Sequence, residues 1–273
     1  MLTDIKDLPA LDDHKHISQE EIRELRENGH VLIREILSPE EIAAYRDVIV
    51  DAGDTFNTEK RALEERDVFG KAFLQIMNLW RDDARVKKFV LAKRFGRIAA
   101  ELLGVENVRI YHDQALFKEP GGGPTPWHQD QFYWPVDTSN TITMWMPLID
   151  IHEEMGILTF ATGSHKKRYV FDFEISDESE PDYDEYIKEN KFPLVRRSFM
   201  KAGDATWHYG HTAHNAPGNK SDIRREIMTI IYIADGAKVV QPVNKWQAND
   251  HERWLMSTPV GELAASEMNP LVL

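Results

Sequence analysis

The run "TITMWMPLI" alternates strictly: Ile142, Met144, Met146 and Leu148 fall on one face, and Thr141, Thr143 and Trp145 on the other. That is the two-residue period of a β-strand. From residue 108 the same rhythm recurs in "RIYHDQALFK", "GILTFAT", "ATWHYGH" and "REIMTIIYI", separated by Gly, Pro, Asn and Asp. The stretch therefore reads as a series of short strands. The first third follows a helical period instead. Ser18 with Glu21 forms a capping-box pattern ahead of the Ile22/Leu25 stripe, and Gly29 closes that helix. After a strand, "HVLIREIL", the device repeats, with Ser38 as N-cap, Pro39 at the first helical position, Glu41 three beyond the cap and Gly53 as the stop. Further helical patterns cover 57–66, 82–91 and 93–104. A helical block followed by many strands predicts a β-sandwich or barrel buttressed by helices.

One segment breaks the rhythm. Residues 171–193, "FDFEISDESEPDYDEYIKENKFP", are acidic and weakly periodic, and read either as a lid or as a disordered excursion. With neither an internal repeat nor a linker in view, the expected organisation is a single domain over 1–273. It comprises a helical layer (1–105), a strand-rich core (106–236) carrying the candidate lid at 171–193, and a C-terminal extension (237–273).

Composition removes several function classes. The chain has 273 residues, long enough for a full core, and a formal net charge of −13. It has no clustered Lys/Arg stripe, which speaks against a nucleic-acid partner and weakens the case for a polyanionic substrate. There is no cysteine, so disulfides, thiolate metal sites, iron–sulfur clusters and cysteine nucleophiles are excluded. The acidic start lacks an apolar signal core and no apolar run reaches membrane length, so a soluble, cytoplasmic protein with no membrane partner is expected. The end, "NPLVL", is not the peroxisomal address. No pattern indicates an oligomeric state.

Against this background "PTPWHQDQFYWP" stands out. His128 and Asp130 are two apart, a spacing that lets extended backbone aim both side chains the same way. A non-haem Fe(II) centre needs two imidazoles and one carboxylate on one face, with positions left open. The third group could be His208, His211 or His214. Of these, His208 falls mid-strand among apolar residues, where a hydrogen-bonded core histidine is the ordinary reading, and His214 falls just past the strand end. Arg225 begins the next strand on the same face as Ile227, Thr229 and Ile231, so its charge points where apolar residues point. A buried guanidinium calls for an anion, and its planar fork suits a carboxylate, either of an acidic side chain or of an organic diacid. Rival constellations are weaker. His152 and Glu154 share the spacing but sit in a turn, His14 and His16 lie in an acidic arm, "EPGGGPTP" lacks the context of a phosphate loop, and Ser164 lacks a nucleophile-elbow frame.

Taken together, "GHVLIREILSPEEI", "FKEPGGGPTPWHQD", "MWMPLIDIHEEMGILTFATGSHK" and "GDATWHYGHTAHNAPGNKSDIRR", in that order over about residues 20–235, resemble the phytanoyl-CoA dioxygenase family of Fe(II)/2-oxoglutarate oxygenases. The resemblance implies a mainly β fold with N-terminal helices, built on a double-stranded β-helix (jelly-roll, cupin-like) core, with iron between the sheets at one mouth. It assigns His128, Asp130 and His214 to the catalytic iron, the last through the family's histidine, four residues, then asparagine, here His214 to Asn219. Arg225, eleven positions on, matches the arginine that pairs with the C5 carboxylate of 2-oxoglutarate, and Gln114 and Trp145 match positions that line the cosubstrate pocket. Thr162 replaces the family's usual proline in a turn. Relatives that chlorinate replace the metal carboxylate with a small residue; Asp130 is retained, which favours hydroxylation or desaturation.

The implied cofactor set is Fe(II), 2-oxoglutarate as cosubstrate, and O2, with succinate and CO2 as products. Phe132, Tyr133 and Trp134, which follow Asp130, are expected to wall a pocket for a small-molecule substrate. The acidic balance favours a small, neutral or cationic, largely apolar metabolite over a CoA thioester. Two other classes share the residues: a catalytically silent ligand-binding module, and a cupin-type isomerase or hydrolase using another divalent ion.

Overall fold

The computed structural model describes residues 3–168 and 180–273. The first part of the chain folds as α1 (Gln19–Asn28), β1 (His30–Ile33), α2 (Pro39–Phe56), α3 (Val68–Ala72), β2 (Leu74–Met77), α4 (Leu79–Asp82), α5 (Ala84–Val90) and α6 (Lys93–Leu103). Then come β3 (Val108–Lys118), β4 (Thr125–His128), β5 (Thr141–Pro147), β6 (Ile151–His152) and β7 (Thr159–Ala161). After the undescribed stretch follow α7 (Glu180–Glu189), β8 (Leu194–Arg196), β9 (Phe199–Met200), β10 (Ala205–Tyr209), β11 (His214–Ala216), β12 (Arg225–Ala234) and α8 (Lys245–Arg253).

Two antiparallel sheets form the jelly roll. The larger runs β1-β10-β5-β12-β3-β2, and the smaller runs β4-β11-β7-β8. Every residue of β5 and β12 is buried, because the larger sheet is covered on both faces. Ile142, Met144, Met146 and Leu148 pack with Phe89, Phe95, Ile98 and Leu102 of the helical layer. The opposite face carries Thr143, Trp145, Thr229 and Arg225, and turns toward the smaller sheet. The alternation seen in the sequence thus divides a helix-facing side from a polar, cavity-facing side. Both capping boxes form as expected: Ser18 and Ser38 cap α1 and α2, each reciprocally bonded to its glutamate.

Three sequence expectations are corrected. Helix α2 runs past Gly53 to Phe56. Gly53 is a packing site there: a Cβ on it would stand 2.5 Å from the Phe117 ring. Of the expected helix at 57–66 only a 3-10 turn forms, Leu63–Glu65. Asn57 Oδ1 accepts from Glu59 N at 3.0 Å and the Glu59 carboxylate accepts from Arg61 N at 2.9 Å, local bonds that compete with a helix for the backbone. The strand "HVLIREIL" stops at Ile33 because Glu35 takes a left-handed conformation (φ 52°), its N–H donating to Asp204 at 2.9 Å.

Of the candidate lid, 171–179 lies outside the described residues. The rest contains α7, which packs Tyr183 and Ile187 against Trp127 of β4, and none of residues 181–193 lines the central cavity. Among the described residues no helix is long and apolar enough to cross a membrane.

Candidate metal centre

Strands β4 and β11 pair antiparallel with His128 directly opposite His214. His214 therefore sits in a short strand of its own, a correction to its expected position past a strand end. Gln129 stays extended (φ −122°, ψ 125°) and turns its buried side chain to the His211 carbonyl, so His128 and Asp130 project the same way. Asp130 then opens a 3-10 turn, Asp130–Tyr133. In such a turn residues i and i+3 eclipse, so Asp130 and Tyr133 both face the cavity, together with Trp134. Phe132 does not line it. That corrects the expected pocket wall, because the turn directs Phe132 away, buried edge-on against Tyr133.

The three side chains bring one nitrogen or oxygen each within 4.8 Å of one another. Each is oriented by its other polar atom. His128 Nδ1 donates to the Pro126 carbonyl at 2.8 Å and His214 Nδ1 to the Thr212 carbonyl at 2.9 Å. Carbonyls only accept, so the ring protons lie on Nδ1 and both Nε2 lone pairs are bare toward the centre. Asp130 Oδ2 accepts from Thr143 Oγ1 at 2.9 Å and His208 Nε2 at 3.2 Å. This leaves Oδ1 3.6 Å from His128 Nε2 and 3.7 Å from His214 Nε2. Burial, reinforced by the neighbouring imidazole, pushes both His128 and His214 down to about 4, which keeps them neutral at physiological pH. Burial opposes ionisation of Asp130, but His214, His208 and His128 outweigh it and hold the carboxyl well below its usual range. Two neutral imidazoles and a carboxylate converging from one side are the donor set that suits Fe(II).

Strand register orders the rest of the cavity wall in rows. His208, Thr143, Ile231 and His112 lie side by side across β10, β5, β12 and β3, at the level of the triad. Two residues further along come Thr206, Trp145, Thr229 and Gln114, and Arg225 beside Lys118 closes the far end. The cavity has a volume of about 560 Å³, within the range of small-molecule sites.

Arg225 is buried, with its guanidinium 5.4 Å from the centre of the Trp145 ring. Its Nη1 donates to the Gly156 carbonyl and its Nε has no partner. Among the described residues no carboxylate pairs with it, so the alternative of an internal salt bridge finds no partner among them. Burial pushes it down to about 9, still cationic at neutral pH. Gly156 is required there: φ is 85°, and a Cβ would stand 2.4 Å from the Pro217 carbonyl oxygen. Gln114 lines the cavity and accepts from Gln75 Nε2 at 3.0 Å. Arg224, by contrast, pairs with Asp54 at 2.7 Å and with Glu226.

The rival constellations stay apart. Among the described residues the triad is the group of His and acidic side chains close enough to hold an ion. His14 pairs with Glu101, His152 is exposed, and Ser164 Oγ accepts from Ala213 N. His208 is the buried, hydrogen-bonded histidine expected, but sequence reasoning did not find the α8 wall, where Trp246, Asn249, Asp250, Arg253 and Trp254 line the cavity. A signal existed. Positions 246, 249, 250 and 253 repeat at helical spacing, behind an Asn244 whose side chain caps α8 by accepting from Trp246 N and Gln247 N.

Comparison with known proteins gives consistent results. The profile of the family described as phytanoyl-CoA dioxygenase (PhyH) matches residues 25–227. A protein of Stutzerimonas stutzeri described as a probable alpha-ketoglutarate-dependent hypophosphite dioxygenase is 26% identical over 235 residues, covering 80% of this chain and 79% of its own. Phytanoyl-CoA dioxygenase 1 of Oryza sativa subsp. japonica is 26% identical over 254 residues, covering 78% and 88%. Among solved structures, the non-heme alpha-ketoglutarate-dependent carbocyclase SnoK from nogalamycin biosynthesis superposes with a TM-score of 0.75 at 26% identity, covering 94% of this chain and 97% of its own.

Proposed function

This chain belongs to the phytanoyl-CoA dioxygenase family, is an Fe(II)/2-oxoglutarate-dependent dioxygenase, and, we propose, hydroxylates or desaturates an unactivated C–H bond of a small, largely apolar metabolite. In the hydroxylation, one atom of O2 enters the new C–OH group and the other enters succinate, as 2-oxoglutarate loses CO2. His128, Asp130 and His214 hold the iron, and Arg225 holds the distal carboxylate of 2-oxoglutarate, with Trp145 and Gln114 flanking the cosubstrate. Bound at the triad, iron with 2-oxoglutarate supplies the oxidising power that activates O2.

The chain's own part is to position and to exclude. His208 and Thr143 occupy Asp130 Oδ2, so Oδ1 is the oxygen that would be left to hold the metal. Trp145 and Leu158 narrow the inner cavity, and Tyr133 and Trp134 wall the part nearer Asp130, limiting water around the reacting carbon. Asp130 keeps the carboxylate that a halogenating relative would replace with a small residue, which favours oxygen chemistry over halogenation.

One observation carries this reading: a fully buried Arg225, without a carboxylate partner among the described residues, at the far end of the cavity that holds the triad. The test adds Fe(II) and then 2-oxoglutarate to metal-free protein under nitrogen. The weak visible charge-transfer band of the chelate is expected in the parent and diminished in Arg225→Ala. Iron binding without a band on adding 2-oxoglutarate would overturn the assignment.

A further inference from the structure

The cavity has a second polar pole outside the metal centre. Asp250, on α8, is 8% exposed and lines the cavity beside Trp134, Tyr133, Trp246 and Trp254. Its neighbours form an aromatic frame. Trp134 lies 5.5 Å from Tyr111 and Tyr133 6.2 Å from Trp246, while Trp254 lies 6.1 Å from His112. Tyr111 Oη donates to Asp250 Oδ2 at 3.0 Å, and Asn249 and Trp254 add further side-chain hydrogen bonds. All three donors are neutral. Among the described residues no cation forms an ion pair with Asp250. Arg253 is exposed and lies over the Trp254 ring at 4.6 Å, so its charge acts on Asp250 only through space. Burial outweighs that attraction and the hydrogen bonds and pushes the Asp250 carboxyl up to about 7.

A buried carboxylate without a counter-ion is costly. Set among several aromatic rings at a cavity wall, it has the composition that binds organic cations: the ring faces attract positive charge and the carboxylate neutralises it. Arg225 shows the converse at the inner end of the same cavity, a buried cation awaiting an anion. We propose that the substrate is an organic cation, an alkylamine or quaternary ammonium compound, whose charged group is held by Asp250 among Tyr133, Trp134, Trp246 and Trp254 while its apolar portion extends toward the triad. This deepens the oxygenase reading and rests on it for the fate of the substrate, but binding of the cation needs neither iron nor O2.

The test is calorimetric titration of the whole protein with matched pairs of probes: choline and hexyltrimethylammonium against the neutral carbon isosteres in which C replaces N⁺. The parent is expected to prefer the cation by about tenfold or more. Asp250→Asn is expected to abolish the preference and Trp254→Leu to weaken it, with Arg253→Ala leaving it in place. Equal affinity for both members of each pair in the parent, or binding of neither, overturns the proposal whatever the variants do. So does tighter binding of an anionic probe, hexanoate, that is lost in Arg253→Ala. The anaerobic charge-transfer band is recorded on the same samples. A parent that shows the band but no preference refutes the cation site alone, and a preference without the band refutes the oxygenase assignment alone. Retention of the band in Asp250→Asn shows that the variant is folded.

Discussion

His208 Nε2 stands 3.2 Å from Asp130 Oδ2, joining a strand of the larger sheet to the turn that follows β4 of the smaller one. His208 is 1% exposed and its Nδ1 has no partner, so its polar contact is spent on that carboxylate. It is a positioning residue for the metal centre. Replacing it with Leu is expected to weaken Fe(II) binding by about 10- to 100-fold, read by anaerobic titration, while the urea midpoint of the metal-free protein changes little. Unchanged iron affinity would make His208 a core histidine only.

Asp130→Ala is expected to abolish iron binding and leave the fold intact, since it removes a desolvated carboxylate and no packing contact. Fe(II) added under nitrogen is expected to raise the Tm of the parent. It should leave the Tm of the variant unmoved.

Arg225→Lys tests whether the fork or the charge matters. Lysine cannot bond a carboxylate bidentately and is strongly hydrated, so the KM for 2-oxoglutarate is expected to rise by roughly tenfold or more, and the charge-transfer band to require correspondingly more cosubstrate. A parent-like KM would mean that simple charge suffices at this end of the cavity.

Gly53→Ala sets two effects against each other. Alanine gains about 1 kcal/mol of helix propensity over glycine, but its Cβ would stand 2.5 Å from the Phe117 ring, and overpacking of that kind costs about 1–3 kcal/mol. The clash is expected to win, giving a net loss of stability in urea unfolding.

Asp113 gives a pH signature remote from the metal. It is fully buried under α4, accepting from Leu79 N at 3.2 Å and Trp80 N at 3.3 Å. Burial pushes it up to about 7 from 3.8. The folded state therefore keeps a proton that the unfolded chain has shed between about pH 4 and 7, so this group's stabilising contribution is full below that window and is lost as pH rises through it. The slope cannot exceed about 1.4 kcal/mol per pH unit. Asp250 adds a term of the same sign. Asp113→Asn should flatten the corresponding part of a plot of Tm against pH.

What the sequence made legible follows physical lines. The β5 alternation was readable because a period of two survives any tertiary context, and the His128/Asp130 pair because Gln129 stays extended between them. His208 is the buried, hydrogen-bonded histidine expected, but its partner, Asp130, was not legible. Alternation tells which residues share a face, but not whether that face meets lipid-like packing or a polar cavity. The failed helix at 57–66 was decided by Asn57 and Glu59, whose side chains capture the backbone locally. Phe132 was misplaced because three successive residues were expected to face the pocket, and the 3-10 turn at Asp130–Tyr133 sends the middle of the run elsewhere.

Helix α8 lies beyond the stretch matched by the family profile, yet it supplies Trp246, Asp250 and Trp254 to the cavity wall. The two sheets hold the groups proposed to handle oxygen, and this late segment leans over them from outside. Such a division lets a lineage change what it feeds on without disturbing how it burns it. A grafted C-terminal segment from a relative would be the economical way to retrain the appetite of this oxygenase.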